Sequence, residues 1–205
     1  FRAEFPRVTL HLSVTATVTA TDEHFDVCVL MVDRPLPDSG IVARPLADSE
    51  IVCCASPRYL DRRGRPGHPS ELERHDVVLP HNLRREVPFT RVRPDGLATA
   101  TESVTVTLPA AAFDSNDITL NHVATLAGLG IAGLPSFMVA DGVRAGLLER
   151  VLPEWHVQRL RLFAAVPARR YLPGRTRAFI DYLCSRFGAR DADPWLASMT
   201  APLPP

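Results

Sequence analysis

No stretch of the 205-residue chain is long and apolar enough to span a bilayer as a helix, which takes about 20 residues. No basic-then-apolar leader opens it, so a cytoplasmic rather than secreted location is expected. The chain begins at Phe1 rather than Met, which points to residues upstream. Net charge is also missing: Lys plus Arg is 23 and Asp plus Glu is 23. A surface that grips nucleic acid by its phosphates carries a basic excess, so this segment is not expected to touch DNA itself. Cysteines are few (Cys28, Cys53, Cys54 and Cys184), and no C-x-x-C spacing supports a zinc or thioredoxin-type centre. Three of them lie in apolar runs, which suits a reducing compartment. Cys53 and Cys54, adjacent on an expected strand, point to opposite faces.

The signs of catalysis are missing as well. No G-x-S-x-G elbow marks a nucleophile. His75 and His81 are six positions apart, which fits no helical metal pair, and no carboxylate couple stands out. Gly128-Leu-Gly130-Ile-Ala-Gly133 matches G-x-G-x-x-G by its letters alone. A dinucleotide fingerprint needs a strand before it and a helix after, and here the expected order is reversed. A glycine-rich turn packing a helix onto a strand explains it. No enzyme activity, cofactor or metal is expected. Arginine clusters at Arg62-Arg63-Gly64-Arg65, Arg84-Arg85 and Arg169-Arg170 fall in turn-like stretches and read as solvated loops.

What is present is an ordinary globular composition, 46% hydrophobic and 22% charged. Alternation at Val8, Leu10, Leu12 and Val14 predicts a strand. The continuous run Val27–Val32 predicts a strand buried on both faces, and Ile51–Ala55 another. Ser56 and Pro57 open a short helix to Arg63, and Pro69 opens a second. A strand is expected at Val77–Leu79, then turns and hairpins over 80–101, then a strand at Ser103–Leu108. Asp117–Ala127 predicts a helix with Leu120, Val123, Ala124 and Ala127 on one face, N-capped by Ser115 or Asn116 and stopped by Gly128. A strand Ile131–Leu134, a helix Ser136–Ala145, a strand Leu160–Val166 and a last helix through Phe179–Phe187 follow; the tail from Thr200 reads as loose. The class is α/β with mostly parallel sheets, and the turn-rich stretch 57–101 favours two lobes over one.

Ser56 and Ser115 each sit where the chain enters an expected helix. Such a place offers a hydroxyl and free backbone N–H groups to a carboxylate or other anion, and equally to simple capping. Asp114 and Asp117 oppose an anion beside Ser115.

In order, several segments resemble one family. Phe1-x-x-x-Phe5-Pro6-x-Val8-x-Leu10, Phe25-Asp26-Val27, and Ser56-Pro57-Arg58-Tyr59-Leu60 are the first. Gly64-Arg-Pro66 and Pro69-x-x-Leu72-x-x-His75 follow, then Ser115-Asn116 and Ala127-Gly128-Leu-Gly130-Ile131-Ala132-x-Leu134-Pro135. Gly146-x-Leu148-x-x-Val151-Leu152-Pro153-x-Trp155, Val166-Pro167-x-Arg169-Arg170 and Phe179-Ile180-Asp181-x-Leu183 complete the set. Together they resemble the effector-binding domain of LysR-type transcriptional regulators, over residues 1 to about 188.

The resemblance implies a two-lobed fold like the type 2 periplasmic binding proteins, with lobe one at 1–55 and 165–205 and lobe two at 56–164. It implies a small effector in the cleft, with Ser56, Ser115, Asn116 and the turn from Gly130 to Pro135 facing it. It implies a homodimer or homotetramer, and DNA binding through an upstream helix-turn-helix and linker helix that this chain does not contain. Three departures stand out. The strand that precedes the first segment in the family is absent here. Leu30 stands where members often carry Arg, with an expected effect on ligand preference. Thr15–Thr21, a helix at the dimer interface in the family, is rich in poor helix formers. The expected function is effector sensing in a transcriptional regulator; the alternative is a solute-binding protein of a transport system with the same fold.

Overall fold

The computed structural model describes residues 1–14, 24–33, 35–36, 41–81, 83–92, 100–167, 172–188 and 193–200. In chain order the elements are β1 (Cys28–Val32), β2 (Ile41–Ala55), α1 (Pro57–Arg63), a 3-10 turn (Pro69–Arg74), β3 (Val77–Pro80), β4 (Glu86–Val92) and β5 (Ala100–Thr107). Then come β6 (Phe113–Ser115), α2 (Ile118–Leu126), β7 (Ile131–Pro135), α3 (Ser136–Arg144), β8 (Glu149–Arg150), β9 (Trp155–His156), β10 (Arg159–Pro167), α4 (Gly174–Phe187) and α5 (Pro194–Thr200). The chain divides into two units, Phe1–Ser49 with Leu160–Pro194, and Glu50–Arg159 with Trp195–Pro205.

In the first unit β1 pairs antiparallel with β10, Leu30 opposite Phe163. Leu30 is fully buried in a cluster with Cys28 and Ala165, packed by Phe25 and Phe163. An arginine there would bury a charge, so the leucine at this position serves the core and not a ligand. β1 buries only one face: Val29 is 51% and Met31 39% exposed, which corrects the expectation of burial on both. The apolar run misleads because it does not alternate, although the strand does. The alternating segment Val8–Val14 forms no strand; Leu12 and Val14 are exposed, and alternation without a neighbouring strand leaves the backbone unpaired. α4 ends at Gly188, which takes the left-handed conformation at φ 86°.

In the second unit a sheet runs in the order β2-β7-β3-β6. β2 and β7 are antiparallel, Ile51 opposite Pro135 and Cys54 opposite Ala132. β3 pairs parallel with both β7 and β6. The α/β class holds, but the sheets are mixed rather than mostly parallel. The strands alternate cleanly between two cores. Cys53, Val77, Leu79 and Ile131 face one side, against α1 and the separate antiparallel sheet β5-β4-β9, which supplies Val87, Phe89, Val106 and Trp155. Val52, Cys54, Val78, Ala132 and Leu134 face the other, against α2 and α3. Cys53 and Cys54 thus belong to opposite cores, and all four cysteines are free thiols.

α2 starts one residue later than its sequence markers suggest. Asp117, not Ser115 or Asn116, is the N-cap, its carboxylate accepting from the Thr119 N–H at 2.8 Å. Its buried face also differs: Asn121, Ala124 and Thr125 point inward, while Leu120 and Val123 are 51% and 54% exposed. α5 packs on the α2/α3 side through Leu196 and Met199, and Trp195 meets Phe137 edge-on with centroids 5.7 Å apart. No helix among the described residues is long and apolar enough to cross a membrane.

Candidate functional site

β3, β6 and β7 run the same way, so their carboxyl ends share one edge of the second unit's sheet. Pro80 is paired with Ser115 there, and Pro135 ends β7 beside Ile51. The structure therefore brings together Ser115, Asn116 and Pro135. Ser56 and Gly130 belong to the opposite edge, about 16 Å away along five residues of extended chain.

Ser56 is 5% exposed and caps α1, with the Tyr59 N–H donating to its Oγ at 3.4 Å. A Cβ on Gly128 would come within 3.1 Å of that oxygen, so the hydroxyl is covered by packed chain. Gly130 sits tighter still: a Cβ there would lie 2.4 Å from the Asp76 carbonyl oxygen. The same edge holds Tyr59, whose hydroxyl accepts from the Asp76 N–H at 2.8 Å and meets His75 Nδ1 at 3.1 Å. Burial, with Arg63 nearby, pushes the His75 imidazole below its ordinary value, so it stays neutral. These are the contacts of a packed turn. The glycine signature thus stands where a helix leaves and a strand begins, with no helix N-terminus aimed at a ligand.

At the carboxyl edge, Ser115 Oγ accepts from the Asp117 N–H at 3.0 Å, and its carbonyl accepts from the His81 N–H at 3.0 Å and Asn121 Nδ2 at 3.2 Å. Asp117 and Ser115 together take up N–H groups that an anion would need, and Asp114 pairs with His81 at 2.9 Å. Asn116 is exposed. Close by in β2, Glu50 is buried and holds His156 at 2.5 Å and Arg159 at 3.1 Å. Among the described residues no cluster of three or more His, Cys, Asp or Glu could hold a metal.

Between the two sheets of this unit lies a cavity of about 440 Å³. Its floor is the sheet face of Ile51, Cys53, Val77, Leu79, Ile131 and Gly133. Its roof includes Val87 and Phe89 of β4, with Leu108 and Val157. The exposed lining residues are Pro80, Leu83, Arg84, Glu86, Pro88 and Gln158. Pro80 ties this mouth to the Ser115 edge. Burial pushes the Cys53 thiol up to about 12, so it stays protonated in this apolar lining. Of these lining residues, only Ile131, Ala132 and Gly133 were expected near a ligand, as part of the turn from Gly130 to Pro135. The one signal available was Gly133, a bare position in an otherwise apolar strand.

A model of the LysR substrate binding domain matches residues 1–188. The chain belongs to this family. The HTH-type transcriptional regulator YhjC of Escherichia coli K12 is 33% identical over 181 residues, 85% of this chain and 58% of YhjC. PtxR of Pseudomonas aeruginosa, another HTH-type regulator, is 30% identical over 92% of this chain and 58% of its own length. The LysR domain thus spans little more than half the length of these relatives. Full-length AphB of Vibrio cholerae, described as a virulence activator, superposes with a TM-score of 0.74 at 22% identity, over 91% of this chain and 60% of that one. The regulatory domain of CrgA from Neisseria meningitidis gives 0.63 at 25% identity, over 78% of this chain and 75% of that one. The fold shared with these regulatory domains is the periplasmic-binding-protein-like α/β fold.

Proposed function

We propose that this LysR domain is the effector-sensing and oligomerisation part of a DNA-binding transcriptional regulator, and that it catalyses no reaction. The observation that carries this reading is the family match over residues 1–188, with HTH-type regulators as relatives that extend well beyond the matched region. The transport reading has no such support. In this reading DNA is held by a separate part of the longer protein, which fits a segment with zero formal charge. The protein works in the cytoplasm, where its four free thiols stay reduced. The effector enters the second unit at the carboxyl edge of its sheet, near Ser115, Asn116 and Pro135, where Pro80 pairs with Ser115. A second copy packs on the exposed apolar face of α2, at Leu120 and Val123.

An effector signals only if it binds one state of the regulator better than another. The test is fluorescence anisotropy of the complete gene product on its own promoter DNA, with and without a metabolite that binds this domain. Coupling of ordinary size changes DNA affinity about 5- to 150-fold. A metabolite that binds the domain tightly and leaves both DNA affinity and footprint unchanged would contradict sensing.

A further inference from the structure

We propose that the cavity between the two sheets of the second unit is the effector's own pocket, and that it takes a small monoacid with an apolar body, the body inside and the carboxylate at Arg84. This rests on the sensing reading above and names the ligand class for it.

The buried lining carries no charged side chain, and its only side-chain polar atom is the Cys53 thiol. A charged group driven inside would lose its hydration with nothing in return, so whatever enters must be apolar. The volume, about 440 Å³, falls in the range of small-molecule sites. At interior packing density, and discounting the open mouth, it holds a body of about ten to fifteen carbon-sized atoms. Gly133 keeps it open. On β7, Ile131, Ala132 and Gly133 all line the cavity, while Ala132 and Leu134 pack into the core on the other face of the sheet. Any side chain at Gly133 would project into the floor, its Cβ already 3.1 Å from Ile51 Cγ2.

The mouth decides the head group. Arg65 is held by Glu149 and Asp61, and Arg91 by Glu154 and Glu102. Arg84 lines the mouth, is exposed, and has no acidic partner among the described residues. Glu86 lines the same mouth and repels a second negative charge, so a monoacid fits better than a diacid. Leu83, 43% exposed, extends the apolar wall outward to the head group.

Calorimetric titration of the 205-residue chain with hexanoate, octanoate, decanoate and 2-naphthoate tests this, with 1-octanol as the neutral probe and succinate and citrate as polar ones. Affinity should rise about fourfold per added methylene until the cavity is full. Arg84→Gln should weaken the acids about threefold and leave 1-octanol unchanged. Gly133→Leu should abolish the dependence on chain length; its fold is checked by circular dichroism. Leu83→Glu, at an exposed position, is the second variant and should weaken the acids without altering the melting temperature. Binding of the polar probes, or of any metabolite from a broad library, that is indifferent to all three substitutions overturns the cavity proposal while sensing stands. Absence of binding by these probes and by the whole library overturns both.

Discussion

At the scale of single residues, Gly130 is the tightest of the described glycines: an added Cβ would sit 2.4 Å from the Asp76 carbonyl oxygen. The obstacle is backbone, which cannot rotate away. Gly130→Ala should therefore lower the unfolding free energy by about 2–3 kcal/mol in a urea titration. Gly146→Ala is the control: open space surrounds it, but its φ is +69°, so the cost should be about 1 kcal/mol. Ser56→Ala should cost about 1 kcal/mol through the lost cap and leave ligand affinity unchanged, because the hydroxyl is covered. Glu50 ties stability to pH. Burial pushes its carboxyl up, but His156 and Arg159 outweigh that and hold it below the ordinary glutamate value. The folded protein thus keeps this charge to lower pH than the unfolded chain does. The stabilisation is complete above about pH 4.3 and is lost as pH falls through the folded value. Unfolding titrations from pH 7 to pH 3 should show that loss, and Glu50→Gln should flatten it while lowering stability at pH 7.

At the scale of elements, legibility followed local chemistry. α1 was readable because Ser56, Pro57 and Gly64 mark both ends, and α4 because Gly188 stops it. β2 was readable only in its last third. Pro45, Asp48 and Glu50 break the apolar pattern of a 15-residue strand, and their cost is offset by partners distant in sequence: Arg161 for Asp48, His156 and Arg159 for Glu50. No local rule announces such pairs. All 23 cations of the chain are arginines, whose planar forks suit these pairings. α2 shows the opposite error. Its apolar residues were legible, but two of them point outward and a polar Asn121 points in. A face that exposes Leu120 and Val123 should be covered by a partner. Leu120→Glu with Val123→Glu should shift the domain toward monomer in sedimentation velocity, with little change in melting temperature. A family-derived interface at Thr15–Thr21 and the cluster Arg169-Arg170 lie outside the described residues.

At the scale of the whole molecule, family and class were legible because many weak motifs occur in the right order, from Phe1 to Leu183. The division of labour within the site was not. Strand direction decides which ends share an edge, and direction comes from pairing, which a sequence does not display. Hence Ser56 and Gly130 fall on one edge of the sheet while Ser115, Asn116 and Pro135 fall on the other. The cavity was hidden for the same reason: it is made by Gly133, Leu79 and Phe89, residues brought together only when two sheets face each other. The central claim is that this domain senses a small molecule. A thermal-shift screen of the domain against a broad metabolite library tests it most directly. A true effector at about 100 times its dissociation constant adds about 2.7 kcal/mol. For a domain of this size that raises the melting temperature by roughly 5–10 °C. At least one compound with that shift, saturable and abolished by substitution in the second unit, is the predicted result; a flat response across the library would contradict the account.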